Sequence, residues 1–209
     1  MKYDILIAGV GGQGTILASK LIAQAAMEEG RFVRTSETIG MAQRGGCVVS
    51  HVRIGSRDES SVIPMHGADL LLGFEPAEAA RSLGRLRKGG KAVVNTARVV
   101  PVTASLSGKA YETEEIFEYI RRGAQVWTLD ATAIAEACGS AKAANVVMLG
   151  AGIGVGALPF SVECMEGLLA RRLPEKLFAA NRKALYAGYD CVGGAKGETE
   201  RRRHSTSCF

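Results

Sequence analysis

The feature that most constrains the fold is a glycine-rich turn between a strand pattern and a helix pattern. Residues 3–8 form a mostly apolar run of strand length, and residues 15–29 repeat apolar side chains at helical spacing. The turn between them has the form G-x-G-x-x-G, and its characteristic residues are Gly9, Gly11, Gly12, Gln13 and Gly14. A strand, this turn and a helix in succession predict the first unit of an α/β domain with a parallel sheet.

The rest of the chain continues the alternation of strand and helix patterns. Strands are predicted over residues 31–35, 47–54, 70–74, 91–95 and 125–129, and helices over 76–86, 113–122, 131–138, 142–157, 161–172 and 174–188. We therefore predict an α/β fold with a Rossmann-like, mostly parallel sheet, helices on both faces and a helical C-terminal section. Residues 1–190 are expected to form a single domain, and 191–209 a disordered tail.

Composition narrows the class of protein. The 209 residues carry a net charge of +5 and only 6% aromatic residues, which argues against a nucleic-acid-binding surface with aromatic platforms. No stretch has the length and apolarity of a membrane span. Five scattered cysteines, none in C-x-x-C, indicate reduced thiols in a cytoplasmic protein and no metal site in this chain.

The glycine turn can bind an anion, because backbone N–H groups are free at the start of the following helix. For NAD, an acidic residue is expected at the end of the second strand, about twenty residues on. Here the predicted second strand, 31–35, ends without an acidic residue, and Glu37 lies a little beyond its end. A stand-alone NAD(P)-binding oxidoreductase therefore stays open as an alternative.

A second motif follows at residues 36–46. A guanidinium flanked by glycines can contact an anion bidentately while bare backbone lies close beside it. We therefore predict a binding loop here, and the candidate residues are Ser36, Glu37, Gln43, Arg44, Gly45 and Gly46.

Other candidates favour structural roles. His51 lies on a strand, where we expect a half-exposed structural imidazole, and Cys47 is expected to be a buried strand cysteine. The small residues Gly150, Gly152, Gly154 and Gly156 predict a helix that packs closely against another helix or subunit. No residues have the pattern of a catalytic constellation.

Taken together, the two motifs resemble the gamma-type domain of the 2-oxoacid:ferredoxin oxidoreductases. The similarity rests on G-V-G-G-Q-G at 9–14 and on S-E-x-x-G-M-x-Q-R-G-G at 36–46. It continues through V-V-S-H-V-R-I-G at 48–55, A-D-L at 68–70 and G-F-E-P at 73–76. The match covers about residues 1–190 and is most detailed with the indolepyruvate-type members, where such chains are the smaller, beta subunits.

This resemblance implies a reaction in which a 2-oxoacid such as indolepyruvate reacts with coenzyme A to give acyl-CoA, carbon dioxide and reduced ferredoxin. In the family, thiamine diphosphate and iron–sulfur clusters carry that chemistry and belong to a larger alpha subunit. The resemblance therefore implies a chain that is inactive alone, binds none of these cofactors itself and helps to shape the entrance for coenzyme A. Its expected partners are the alpha subunit, ferredoxin, the 2-oxoacid and CoA, with a homodimer possible in isolation. A ligand-free assembly subunit stays open as a further alternative.

Overall fold

A mixed six-stranded sheet forms the centre of the molecule. The computed structural model describes residues 2–40, 46–55, 57–99 and 112–204, with side chains as far as residue 193. Within these residues the strands are β1 (Tyr3–Val10), β2 (Val33–Ile39), β3 (Cys47–Ile54), β4 (Ala68–Gly73), β5 (Leu86–Asn95) and β6 (Gln125–Leu129). Their spatial order is β2-β3-β1-β4-β5-β6.

Five of the described strands run in one direction and β3 runs in the other. β1, β4, β5 and β6 pair in parallel, whereas β3 is antiparallel to both β1 and β2. The predicted mostly parallel α/β sheet is therefore confirmed. The connections from β1 and from β4 lead to opposite sides of the sheet, so the order of strands reverses between these two neighbours.

Seven α-helices among the described residues cover the sheet. They are α1 (Thr15–Glu28), α2 (Pro76–Ser82), α3 (Thr113–Gly123), α4 (Ala131–Ala137), α5 (Ala144–Gly154), α6 (Val162–Arg172) and α7 (Glu175–His204). Short 3₁₀ turns at Leu83–Arg85 and Ala141–Ala143 follow α2 and precede α5. No helix in the described part of the chain is long and apolar enough to cross a membrane.

Alternation along β1 divides the core into two layers. Ile5 and Ile7 pack with the layer that contains α1 and α4 to α7, whereas Leu6 and Ala8 pack with α2 and α3. Successive side chains of a strand point to opposite faces, so a strand covered on both faces is apolar throughout. This explains why the strand pattern at 3–8 is nearly continuous rather than alternating.

Helices α5 and α7 are in direct backbone contact through glycines. A Cβ atom added at Gly150 would overlap the carbonyl oxygen of Leu185, and one at Gly188 would overlap that of Val147. A Cβ atom added at Gly154 would likewise overlap the carbonyl oxygen of Tyr189. The prediction that small residues allow close helix packing is thus confirmed, and the partner is a helix of the same chain.

A buried ion pair holds the amino end of β1. The Arg53 guanidinium donates to both carboxylate oxygens of Asp4, at 2.9 and 2.8 Å, and to the carbonyl oxygen of Ser60 at 2.7 Å. Glu59 forms a second ion pair with Arg53. Since unpaired buried charges are costly, these contacts fix the β3–β4 connection against the start of β1.

His51 is buried rather than half-exposed, so that expectation is wrong. Only 2% of the residue is exposed, and its Nδ1 accepts a 3.2 Å hydrogen bond from the backbone N–H of Ile63. Burial, together with the positive charges of Arg85 and Arg53, lowers the pKa of His51 to about 4. The imidazole is therefore a neutral structural acceptor between β3 and the segment before β4.

Several strands and helices begin or end at residues other than those predicted from the sequence. β2 extends to Ile39, because its backbone pairs with β3 as far as Val48. β5 begins at Leu86 and passes an irregularity before Lys91. Helix α7 continues beyond the predicted end at Gly188 to His204. The domain limits and a disordered tail at 191–209 stay predictions.

The glycine contacts between α5 and α7 predict strong sensitivity to one added methyl group. Gly150→Ala and Gly188→Ala should each lower the free energy of unfolding by about 2–3 kcal/mol or more, because rigid backbone would have to move. Gly167→Ala on α6 is the matched control, since its Cβ would meet only the end of Arg171 at 3.5 Å. That variant should be neutral or gain about 0.5–1 kcal/mol from helix propensity. Urea unfolding measures all three, and equal effects would contradict the packing argument.

The buried His51 predicts a loss of stability in acid. Its native pKa of about 4 lies below the unfolded value, so the unfolded state binds the proton first as the pH falls through 6.5. From pH 7 to 4 the folded state should lose about 3 kcal/mol through this residue. His51→Asn should remove that part of the pH dependence measured by denaturant unfolding. An imidazole NMR titration with its midpoint near 6.5 in the native protein would refute the assignment.

Candidate functional site

The glycine turn lies at the carboxyl end of β1 and begins helix α1. Gly12 and Gly14 have φ values of +101° and +79°, which favour glycine. Gly14 is the N-cap residue of α1, and no side chain of the described residues caps this end. The first N–H groups of α1 therefore lack intrahelical partners and face outward with the positive end of the helix dipole. This arrangement can bind an anion.

Gln13 holds the turn in place. Its Oε1 accepts from the N–H of Val10 at 2.9 Å, and its Nε2 donates to the carbonyl oxygen of Phe74 at 3.0 Å. The oxygen of the amide thus closes the turn, and the nitrogen joins the turn to the residue after β4. Contact of Gln13 with a ligand stays a prediction.

The end of the second motif meets the glycine turn. The N–H of Gly11 donates to the carbonyl oxygen of Gly46 at 2.9 Å, and the N–H of Gly40 donates to that of Cys47 at 2.7 Å. The two motifs are therefore adjacent at the carboxyl edge of the sheet. Gln43, Arg44 and Gly45 lie outside the described residues.

Ser36 and Glu37 occupy strand β2 and point in opposite directions. The Oγ of Ser19 on α1 donates to Glu37 Oε1 at 3.4 Å, and Ser36 lies opposite His51 of β3. Alternation therefore places Glu37 on the α1 face and Ser36 on the other. Of this pair, only Glu37 lies on the face of the sheet that α1 covers.

The inserted strand β3 also separates β2 from β1. In dinucleotide-binding domains the second strand is the neighbour of the first, and its terminal acid reaches the ribose. Here Glu37 is two strands away from β1, about 9–10 Å at the usual strand spacing. This geometry weighs against the NAD(P) alternative.

A crevice of about 580 Å³ opens between the turn and the ends of β2 and β3. Gly11, Gly12 and Gly14 form one side, and Ile39 and Val48 form the other. Ile39 is 60% exposed, although it is a large apolar side chain. The crevice thus combines the N-terminus of α1, with the positive end of the helix dipole, and an apolar wall.

Asn145, which belongs to neither sequence motif, lies against the turn. It is only 3% exposed, and its Nδ2 lies where a Cβ on Gly14 would come within 2.6 Å. Its Oδ1 accepts from the N–H of Val146, but no residue in the described ranges accepts from its Nδ2. A lone asparagine in the apolar stretch of α5 was the available sequence signal.

A second cavity, of about 200 Å³, lies on the other side of Gly12. Its polar lining comes from Gln13, Asn95, Thr132 and Lys142. Asn95 ends β5 and Thr132 lies in the first turn of α4, so three different strand–helix connections and the start of α5 meet here. These residues were missed because their proximity depends on long-range pairing of strands.

Cys47 is exposed, so the expectation of a buried strand cysteine is wrong. Its thiol nevertheless has a pKa raised to about 11, by local desolvation and by the carboxylate of Glu78. Glu78 is itself buried and forms an ion pair with Arg81. A thiol with a raised pKa is a weak nucleophile, which argues against a reactive cysteine.

Metal ligands are not grouped in the described ranges 2–40, 46–55, 57–99 and 112–204. No three His, Cys, Asp or Glu residues lie close enough together there to hold a metal ion. The free cysteines Cys47, Cys138, Cys164 and Cys191 lie on separate elements. This part of the chain therefore does not fit an iron–sulfur cluster, whose ligands are usually cysteine thiolates.

Several known proteins are similar to this chain in sequence and in fold. The chain is 40% identical over 192 residues to indolepyruvate oxidoreductase subunit IorB of Archaeoglobus fulgidus, covering 91% of this chain and 95% of that one. It is 37% identical over 191 residues to subunit IorB of Methanothermobacter thermautotrophicus, covering 90% and 97%.

The same fold is found in the crystal structure of the gamma subunit of a keto/oxoacid ferredoxin oxidoreductase from Geobacter sulfurreducens. Its TM-score is 0.66 at 28% identity, covering 92% of this chain and 99% of that one. Residues 4–191 match the family described as pyruvate ferredoxin/flavodoxin oxidoreductase. The chain belongs to the pyruvate ferredoxin/flavodoxin oxidoreductase family.

Proposed function

We propose that this chain is the smaller, beta subunit of an indolepyruvate-type 2-oxoacid:ferredoxin oxidoreductase. The complex would convert an aryl 2-oxoacid such as indolepyruvate and coenzyme A into acyl-CoA and carbon dioxide, and would transfer the released electrons to ferredoxin. The main support is that relatives named as indolepyruvate oxidoreductase subunits are 34–40% identical over about nine-tenths of the chain.

The crevice between the glycine turn and the ends of β2 and β3 is the proposed contribution of this chain to CoA binding. Coenzyme A carries phosphate groups on an otherwise partly apolar molecule, and the crevice offers free N–H groups of α1 beside Ile39 and Val48. The hydrogen bond from the N–H of Gly11 to the carbonyl oxygen of Gly46 joins the end of the second motif to the turn beside this crevice. We assign Arg44 to a phosphate of CoA, since a guanidinium binds phosphate bidentately.

The remaining chemistry is assigned to a larger alpha subunit. Thiamine diphosphate and iron–sulfur clusters supply decarboxylation and electron transfer in this family, and the described residues offer no ligand set for a cluster. The beta subunit would therefore be inactive alone and would act in a cytoplasmic complex. Its exposed Ile39 beside the crevice is suited to burial against that partner.

The test is Arg44→Ala in the complex reconstituted with its alpha subunit. Loss of a phosphate contact should raise the KM for CoA about 10-fold or more, while the KM for indolepyruvate changes little. Arg34→Ala is the matched control, because Arg34 lies beside Phe32 and the carbonyl oxygen of Arg57, away from the crevice. Steady-state assays with varied CoA measure both variants.

Three results would contradict parts of this proposal. Oxidation of 2-oxoacids by the isolated chain would remove the need for a partner. Tight binding of NAD(H) or NADP(H) in calorimetry would favour the stand-alone nucleotide-binding alternative. Normal assembly with an unchanged KM for CoA in Arg44→Ala would leave the loop without the assigned role and favour an assembly subunit.

A further inference from the structure

The smaller cavity beside Gly12 lies where the order of strands reverses. Its walls come from Gln13 after β1, Phe74 after β4 and Asn95 at the end of β5. β1 and β4 are the neighbours between which the connections diverge. In open α/β sheets the crevice at such a reversal, outside the carboxyl ends of the strands, is the preferred place for ligands.

Most polar groups of this cavity are already hydrogen-bonded. Asn95 donates through Nδ2 to the Phe74 carbonyl oxygen and to Thr132 Oγ1, each at 3.3 Å. Its Oδ1 accepts from the N–H groups of Ala97 and Ala131, at 3.2 and 2.9 Å. Asn95 therefore has no capacity left for a ligand, and its role is to fix the cavity wall.

The groups that remain available are mainly donors. Because Thr132 Oγ1 accepts from Asn95, its hydroxyl proton is left to donate elsewhere. Gln13 Nε2 makes one hydrogen bond, to Phe74, and has a second proton. The ammonium group of Lys142 forms no ion pair with any residue in the described part of the chain. Such a set of donors with one positive charge selects an anion.

No acidic side chain of the described residues lines the cavity or forms an ion pair with Lys142. Asp130 accepts from the N–H of Ala133 at 2.8 Å at the start of α4. Glu75 accepts from the N–H of Glu78 at 3.0 Å at the start of α2. Both carboxylates thus cap helices beside the cavity, and neither lines it.

Size and wall composition narrow the class of anion. A volume of about 200 Å³ is below the range typical of drug-sized ligands, so the cavity suits a molecule of few heavy atoms. Phe74 and Met148 give it an apolar wall, and one lysine balances one negative charge. We propose that this cavity binds a small organic monocarboxylate, with its carboxylate on Lys142 and Thr132 and its short apolar tail against Met148. The site is separate from the CoA crevice and does not depend on the function proposed above.

The experiment uses methionine-methyl NMR on the full-length chain, with butyrate as the probe at constant ionic strength. The methyl group of Met148 lies in the wall and should shift saturably, with a dissociation constant on the order of millimolar. The exposed Met27 on α1 is an internal reference that should not move. Met148→Leu assigns the resonance. Butyramide, the neutral analogue, should produce no saturable shift.

Lys142→Gln should weaken butyrate binding about 10-fold or more, and Thr132→Val should weaken it by a smaller factor. Lys176→Gln on α7 is the matched control for loss of an exposed lysine, and thermal unfolding checks that each variant is folded. Unchanged affinity in Lys142→Gln would overturn the proposal. So would the absence of a saturable Met148 shift, equal binding of butyramide, or binding of inorganic phosphate in preference to butyrate.

Discussion

The carbonyl oxygen of Phe74 is the junction on which the carboxyl edge of the sheet depends. It accepts from Gln13 Nε2 and from Asn95 Nδ2, so the turn after β1, the residue after β4 and the last residue of β5 meet at one atom. Asn95 extends the connection to the start of α4 through the N–H of Ala131. The amides of the two side chains thus satisfy backbone groups that the ends of strands and helices leave unpaired. The three residues that meet at this junction also line the smaller cavity beside Gly12.

The antiparallel strand β3 changes what the glycine turn can do. Inserted between β1 and β2, it removes the acidic strand end that a dinucleotide-binding unit places near the ribose. It also begins beside the turn, where the N–H of Gly11 donates to the carbonyl oxygen of Gly46 at 2.9 Å, so the end of the second motif contacts the turn. The same local sequence pattern therefore lacks, in this sheet, the neighbouring acid that a dinucleotide site uses. The turn itself supplies only backbone donors, so any selectivity for a ligand has to come from the strands beside it.

Local features of the fold were predictable from the sequence and long-range ones were not. The strand, turn and helix at residues 3–28 follow from periodicity and glycine alone. The reversal of β3, the extension of β2 to Ile39 and the burial of His51 depend on which strands pair, which no local pattern encodes. Cys47 shows the same limit, because it is the first residue of β3 and its exposure depends on the surroundings of that strand end rather than on the strand pattern.

The candidate site was predictable only in part for the same reason. Glycines that require positive φ, such as Gly12 and Gly14, can be selected from a motif. Asn95, Thr132 and Lys142 are separated from the turn by more than eighty residues, and only the order of strands brings them to Gly12. Polar residues at the ends of predicted parallel strands were the available signal, since these ends share one edge of the sheet.

The close packing of the C-terminal helices and the geometry of the glycine turn both depend on where helix α5 lies. Helix α5 must approach α7 closely enough for Gly150 and Gly188 to contact backbone, and it must also place Asn145 against Gly14. A side chain at either α5–α7 contact would push the two helices apart, and any shift of α5 would carry the Nδ2 of Asn145 with it, because a densely packed interior transmits strain. Glycine is therefore required on both sides of α5, in the turn as well as in the helix pair. The stability of the core and the shape of the glycine turn consequently depend on the position of a single helix.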